Sequence, residues 1–215
     1  PIVVLGYFVV PKKIKNLWLL IASYYFYMSW KPVYALLIFF STLSTYLRGL
    51  AIDKSKSKSG AKAVLTVNII INIAILFYFK YFNFFIEIIT SLVPGLQLQQ
   101  NNNLLAVVGI SFYTFQSLGY SIDVYRKKVP AEKNFLTYAL FVSFFPQLVA
   151  GPIERSENLL PQLKKTYKFD YGRVTDGLVL MAWGFFKKMV IADGCGKIVD
   201  VVFNNISSYG GLQFM

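Results

Sequence analysis

Apolar residues fall along this chain in long runs rather than in strict alternation. Residues 2–10, 17–30, 33–50, 63–93, 104–125 and 135–150 are dominated by Leu, Ile, Val, Phe and Tyr, with short polar segments between them. Buried strands seldom exceed about eight residues, so runs of this length predict helices. A helix rises about 1.5 Å per residue and a bilayer's hydrocarbon core is about 30 Å thick, so roughly 20 residues cross it. Residues 104–125 reach that length, and 2–10 resemble a truncated span. Residues 63–93 exceed it: wholly helical they would measure about 46 Å, so this stretch must tilt, bend or lay its second half along the interface.

Composition makes these runs membrane segments. Hydrophobic residues are 56% of the 215, charged residues 15%, and the mean hydropathy is +0.52. Soluble domains average about 45–50% apolar and 25% charged residues. A net charge of +12 raises nucleic acid as a partner, but such a protein gathers its cations along one soluble face. Here they sit between apolar runs: Lys12, Lys13 and Lys15; Lys54, Lys56, Lys58 and Lys62; Arg126, Lys127, Lys128 and Lys133. That is the pattern of cytoplasmic loops, and it argues against a nucleic-acid partner. The positive-inside rule then places KKIK inside, the Lys31-Pro32 turn outside, KSKSK inside, QLQQNNN outside and RKK inside. The expected fold is all-α, a polytopic helical membrane protein with the lipid bilayer as its surroundings.

The run 135–150 does not fit a simple span. Its ~16 residues make roughly 24 Å of helix, short of the hydrocarbon core. Pro146 interrupts it, Gly151-Pro152 ends it, and Glu154 and Arg155 follow. With RKK inside, Phe135 starts from the cytoplasm, and the next basic cluster, Lys164, Lys165 and Lys168, prefers the same side. An even number of crossings must lie between them. A short helix that breaks between Pro146 and Pro152 and returns through SENLLPQL meets that need as a re-entrant hairpin. Irregular backbone at membrane depth is tolerated only against protein or a watery cavity. Pro146, Gln147, Gly151, Pro152, Glu154 and Arg155 are therefore candidate cavity-wall residues. The alternative is that Ala150 reaches the outer surface and GPIER is an exposed loop.

Polar residues inside the runs share faces. At 100° per residue, Asn68, Asn72, Lys80, Asn83, Glu87 and Thr90 fall within an arc of about 120°. Lys80 either snorkels to headgroups from the aromatic belt FYFKYFNFF or belongs to a pathway. Ser111, Thr114, Ser117 and Ser121 form a second arc of the kind that holds neighbouring helices together. Asp123 is spaced to pair with Arg126 or Lys127. GLVLMAWGFFKKMVIADG has only a brief apolar core and predicts an interfacial or protein-packed helix. NIS at residues 205–207 matches a glycosylation sequon, a weak three-residue signal.

One cysteine, Cys195, excludes an internal disulfide, and the absence of histidine excludes Ser-His-Asp and Cys-His pairs and histidine metal sites from these 215 residues. No metal is expected. The chain opens on Pro1 inside an apolar run and stops at SSYGGLQFM, so it is expected to be the N-terminal part, 1–215, of a single longer membrane-embedded domain.

The stretch GISFYTFQSLGYSIDVYRKKVPAEKNFLTYALFVSFFPQLVAGPIERSENLLPQL, with VVPKKIKNLWLLIASYYFYMSWKP before it and GLVLMAWGFFKKMVIAD after it, resembles the membrane-bound O-acyltransferase superfamily, in its bacterial alginate O-acetyltransferase branch. SFYTFQSLGYSIDVYR and FFPQLVAGPIER are its most specific parts. The resemblance implies a multi-pass enzyme of the bacterial inner membrane with a funnel through the bilayer. It implies acetyl-CoA as the cytoplasmic acyl donor, an exopolysaccharide such as alginate as acceptor, and an extracytoplasmic acetyl-transfer partner protein. It also implies a catalytic histidine in the C-terminal half; no residue here matches it, so no catalytic residue is assigned and the 215 residues alone are expected to be inactive. Relatives acting on teichoic acid or peptidoglycan, a membrane transporter and a non-enzymatic membrane scaffold are the alternatives, although no internal repeat of the transporter kind is visible.

Overall fold

The computed structural model describes residues 2–93, 99–101, 107–148 and 151–204. The NIS tripeptide and most of PGLQLQQNNN lie outside the described residues. All regular structure among the described residues is helical. The chain divides into two compact units, Pro1–Thr166 and Tyr167–Met215.

The first unit runs α1 (Ile2–Val9), α2 (Lys15–Met28), α3 (Val33–Lys54), α4 (Lys58–Leu76), α5 (Phe82–Leu92), α6 (Ile110–Tyr125), α7 (Phe135–Ser143), α8 (Phe145–Leu148) and α9 (Ser156–Lys164). Helix starts follow local chemistry. The Ser57 side chain accepts from the Gly60 N–H and caps α4, and Asn134 accepts from the Thr137 N–H and caps α7; each cap contributes about 1 kcal/mol. The overlong run is resolved by a π-helical turn, Phe77–Tyr81, that joins α4 to α5 without a break. Val33–Lys54 and Lys58–Leu92 are both long and apolar enough to cross a membrane. The run expected over 104–125 is helical from Ile110, after Gly109 in a left-handed conformation at φ 75°.

The bundle is apolar outside and carries a cluster of polar side chains within its apolar core. Leu36, Phe40 and Leu47 of α3 and Val67, Ile70 and Ile73 of α4 are exposed, while Ser41, Thr42, Thr45, Asn68, Asn72, Thr114, Ser117 and Ser121 are buried. A water-soluble helix turns its polar stripe the other way. In lipid the arrangement is favourable, because outward Leu and Ile meet hydrocarbon and inward amides and hydroxyls find partners. This is a membrane protein. Asn68 Nδ2 donates to Ser121 Oγ at 2.9 Å, Asn72 Nδ2 to Asn68 Oδ1 at 3.1 Å, and Arg48 Nη1 to Asn68 Oδ1 at 3.2 Å. The polar arcs expected on α4 and α6 thus face each other.

The basic clusters collect at one end of this unit. There Tyr46 OH donates to the Lys133 carbonyl, the Glu132 N–H donates to Tyr120 OH, and Lys164 pairs with Glu132. At the opposite end Tyr27 OH donates to the Val108 carbonyl at 2.7 Å, and Lys80 Nζ donates to Ser111 Oγ at 3.0 Å. Lys80 therefore anchors α6 while also lying over the Tyr81 ring.

Helix α6 closes at the basic end with a Schellman motif: the Lys127 N–H donates to the Val124 carbonyl and the Lys128 N–H to the Asp123 carbonyl. Lys127 holds φ 57°, the left-handed position normally given to glycine, at a cost of roughly 1–2 kcal/mol for a residue with a Cβ.

In the second unit α10 (Tyr171–Phe186) and α11 (Asp193–Asn204) are joined by a π-helical turn, Lys187–Ala192. Asp170 caps α10 by accepting from the Arg173 N–H, and Lys188 pairs with Asp193. Leu178, Leu180, Met181, Trp183 and Met189 are exposed within the unit.

Candidate functional site

The broken helix α7–α8 is the least regular part of the buried structure. Thr137 to Ser143 are all buried, and Phe144, at φ −56° and ψ 109°, stops the helix. Pro146 sits in the first turn of α8, where its missing N–H leaves no helical bond unmade. The break frees backbone groups, and side chains from α2, α6 and α8 itself take them. The Phe141 carbonyl accepts from Gln116 Nε2 at 2.8 Å and from Gln147 Nε2 at 3.0 Å. The Phe145 N–H donates to Ser23 Oγ at 3.2 Å, and Ser23 in turn donates to the Leu19 carbonyl at 2.7 Å. Three buried polar residues, Ser23, Gln116 and Gln147, therefore exist at this depth to satisfy one break. Left unmade, each buried bond would cost several kcal/mol in lipid.

The tip is tightly fitted. A Cβ on Gly109 would sit 2.6 Å from the Leu148 carbonyl oxygen, so α8 packs against the start of α6. Gly151 donates its N–H to the Gln147 carbonyl at 3.1 Å. A Cβ on Gly151 would overlap Gln147 Cα and come within 2.7 Å of Gln147 Cβ.

From this tip the chain returns to the other end of α6. Leu148 lies beside Gly109, whereas Ser156 Oγ donates to Asp123 Oδ2 at 3.1 Å. Gly109 and Asp123 are separated by about 21 Å of helix. The return is carried by the segment before α9, whose Arg155 is extended at φ −74° and ψ 147°. SENLLPQL was expected to be the returning arm. Instead it forms α9, with both ends at the basic end: Ser156 on Asp123 and Lys164 on Glu132, 2.6 Å from Nζ to Oε2. The cause is amphipathicity, since Leu159, Leu160 and Leu163 are buried while the polar face is exposed. Asp123, expected to pair with Arg126 or Lys127, instead accepts from Ser156.

Of the expected wall residues, Gln147 is buried and Gly151 and Glu154 are half-buried, while Pro146, Pro152 and Arg155 are exposed on this chain. Gln147 and Gly151 are brought together. Arg155 is apart from them, 3.7 Å from Glu157 in an exposed pair. Residues that pattern reading missed are Ser23, Gln116 and Glu132. Glu132 is buried, and its Oε1 accepts from the Asn134 N–H at 3.0 Å. Only Gln116, an amide in the apolar run FYTFQSL, carried a visible signal. Among the described residues no three His, Cys, Asp or Glu side chains converge.

Comparison with known proteins points the same way as the motifs. A protein of Pseudomonas aeruginosa named "Probable alginate O-acetylase AlgI" is 38% identical over 203 residues, covering 92% of this chain and 38% of that protein. Across nearly all of its length the chain is similar to alginate O-acetylases, in agreement with the resemblance carried by its motifs. The equivalently named protein of Azotobacter vinelandii is 35% identical over 92% of this chain and 40% of its own length. A "Peptidoglycan O-acetyltransferase" of Helicobacter pylori is 31% identical over 99% of this chain and 46% of its own length. The chain thus spans about two fifths of the O-acetylases it matches. No family model matches it, and no solved structure matches it significantly.

Proposed function

We propose that this chain is the N-terminal part of a multi-pass O-acyltransferase of the bacterial inner membrane. The reaction moves an acetyl group from a cytoplasmic thioester, acetyl-CoA, toward an exported polysaccharide such as alginate. An acceptor hydroxyl oxygen attacks the thioester carbonyl, the C–S bond breaks, a base takes the hydroxyl proton, and the thiol leaves with a proton. The chain contains no histidine, so the base that the family resemblance implies belongs to residues beyond these 215. These residues supply part of the wall and the cytoplasmic rim of the path along which donor and acceptor meet. Pro146, Gln147, Gly151, Pro152, Glu154 and Arg155 form the re-entrant segment of that wall, and an extracytoplasmic partner protein receives the group. The observation that carries this reading is the 38% identity to an alginate O-acetylase across 92% of the chain.

A second acceptor class is favoured by the 31% identity to a peptidoglycan O-acetyltransferase over 99% of the chain. The test is transfer of isotopically labelled acetyl from acetyl-CoA by membranes containing the full-length protein, with ester acetate measured separately in secreted polysaccharide and in muropeptides. Alkali-labile acetate that depends on the protein is the expected result. Equal acetate in both polymers with and without the protein overturns the assignment.

A further inference from the structure

The basic end of the first unit carries a hollow that the re-entrant segment does not line. It measures about 650 Å³ and lies between the α3–α4 loop and the end of α6, lined among others by Asp53, Lys56, Ser57, Lys58, Arg126 and Lys127. Four of these are cations and one is a carboxylate. Ser57 caps α4, so the positive end of a 19-residue helix also faces this hollow.

Topology alone accounts for cations near the cytoplasmic face, but not for their placement. Arg126 and Lys128 already put charge beside Lys127, and the rule is satisfied by any basic residue near the span's end. Lys127 occupies the one position of the Schellman motif where glycine is comfortable, at φ 57°. A strained residue that lines a hollow points to a use for its side chain. We propose that this hollow is a binding site for a phosphate-bearing anion, with Lys127, Arg126, Lys56 and Lys58 supplying the charge and Ser57 standing at the helix end. Two sources share this chemistry: the headgroup of an anionic phospholipid, and a soluble phosphate ester arriving from the cytoplasm. Basic clusters at a membrane surface attract anionic headgroups through the same charges. The site is assigned from this hollow and its cations alone, so a protein that moved no acetyl groups would still hold the anion.

The test uses the full-length protein in nanodiscs. In one arm the discs contain phosphatidylcholine with a minor fraction of phosphatidylglycerol, and native mass spectrometry counts the phosphatidylglycerol retained. In the other, phosphatidylcholine discs are titrated with inorganic pyrophosphate. Wild-type protein is expected to retain the lipid or bind pyrophosphate, and the arm that responds identifies the source. Lys127→Gly is expected to weaken that binding about fivefold, the loss of one cation near a membrane surface. Its thermal midpoint should stay level or rise by up to about 4 °C, because the backbone strain is relieved. Should Lys127→Gly lower the midpoint instead, Arg126→Gln is held to the same fivefold criterion. Binding of neither anion, or wild-type binding by the variant in both arms, overturns the site.

Discussion

Replacing Gly151 by alanine adds one methyl group where the structure leaves no space. The new Cβ would overlap Gln147 Cα and lie 2.7 Å from Gln147 Cβ and 3.1 Å from Gln147 C. Two of these three atoms are backbone, so a side-chain rotation cannot relieve the clash; α8 or the return segment must move. Overpacking of this kind costs about 1–3 kcal/mol. Displacing Gln147 also strains its bond to the Phe141 carbonyl, worth about 1 kcal/mol. A total near 3 kcal/mol corresponds to a drop in thermal midpoint of roughly 3 °C in the full-length protein, because these residues span only 38% of the length of a matched relative. Two controls bracket the result. At Gly60 the added Cβ meets only Ser55 Oγ and Ser57 Oγ, each at 2.9 Å and each at the end of a side chain. There the loss is limited to the Ser57 cap, about 1 kcal/mol. Gly119 has nothing within 4 Å of the added Cβ and lies inside α6, so alanine should stabilise by about 0.5–1 kcal/mol. The assay is thermal unfolding of the purified full-length protein in one detergent, read by loss of the monodisperse chromatographic peak. The expected order of midpoints is Gly119→Ala, wild type, Gly60→Ala and then Gly151→Ala. A Gly151→Ala midpoint equal to or above that of Gly60→Ala would refute the tight tip, since the worked difference of about 2 kcal/mol should lower it by roughly 2 °C.

Two further substitutions probe the polar interior and the clamp. Asn68→Leu removes the amide that bridges Arg48, Asn72 and Ser121, and the same unfolding assay should show a loss of about 2–3 kcal/mol; a neutral effect would mean that these bonds do not hold α4 to α6. The Glu132–Lys164 pair should respond asymmetrically, because Glu132 is buried and the Lys164 side chain is 55% exposed. Lys164→Met strands a buried carboxylate and should cost about 3 kcal/mol, whereas Glu132→Gln leaves an amide that can still accept from Asn134 and should cost less than half of that. Equal losses would contradict the burial of Glu132.

Much of this architecture was legible because helix length and charge placement are local properties. The runs 17–30 and 33–50 mark α2 and α3, and the charges of KSKSK and RKK fall at one end of the bundle. Pro146 announced the break in the run 135–150. Its repair was not legible. Ser23 is 122 residues from Phe145, and Gln116 is 25 from Phe141; no local pattern links such pairs. SENLLPQL was misplaced for a related reason. Its role as α9 depends on Asp123 and Glu132 as docking points, and those partners become neighbours only when α6 and the Glu132 loop are packed. Arg155 and Pro152 drew attention by their chemistry, yet the fit of the tip falls to Gln147 and Gly151.

The central claim is that the chain leaves the basic end at α7 and comes back to it at α9, with that end in the cytoplasm. Single cysteines in a Cys195→Ser background test it directly, using a membrane-impermeant maleimide on intact spheroplasts. Ser57→Cys, Lys133→Cys and Lys165→Cys should stay unlabelled until the membrane is permeabilised, and Gln100→Cys should react from outside. Labelling of Lys165→Cys from outside, with Lys133→Cys still protected, would place the two ends of this segment on opposite faces and contradict the hairpin.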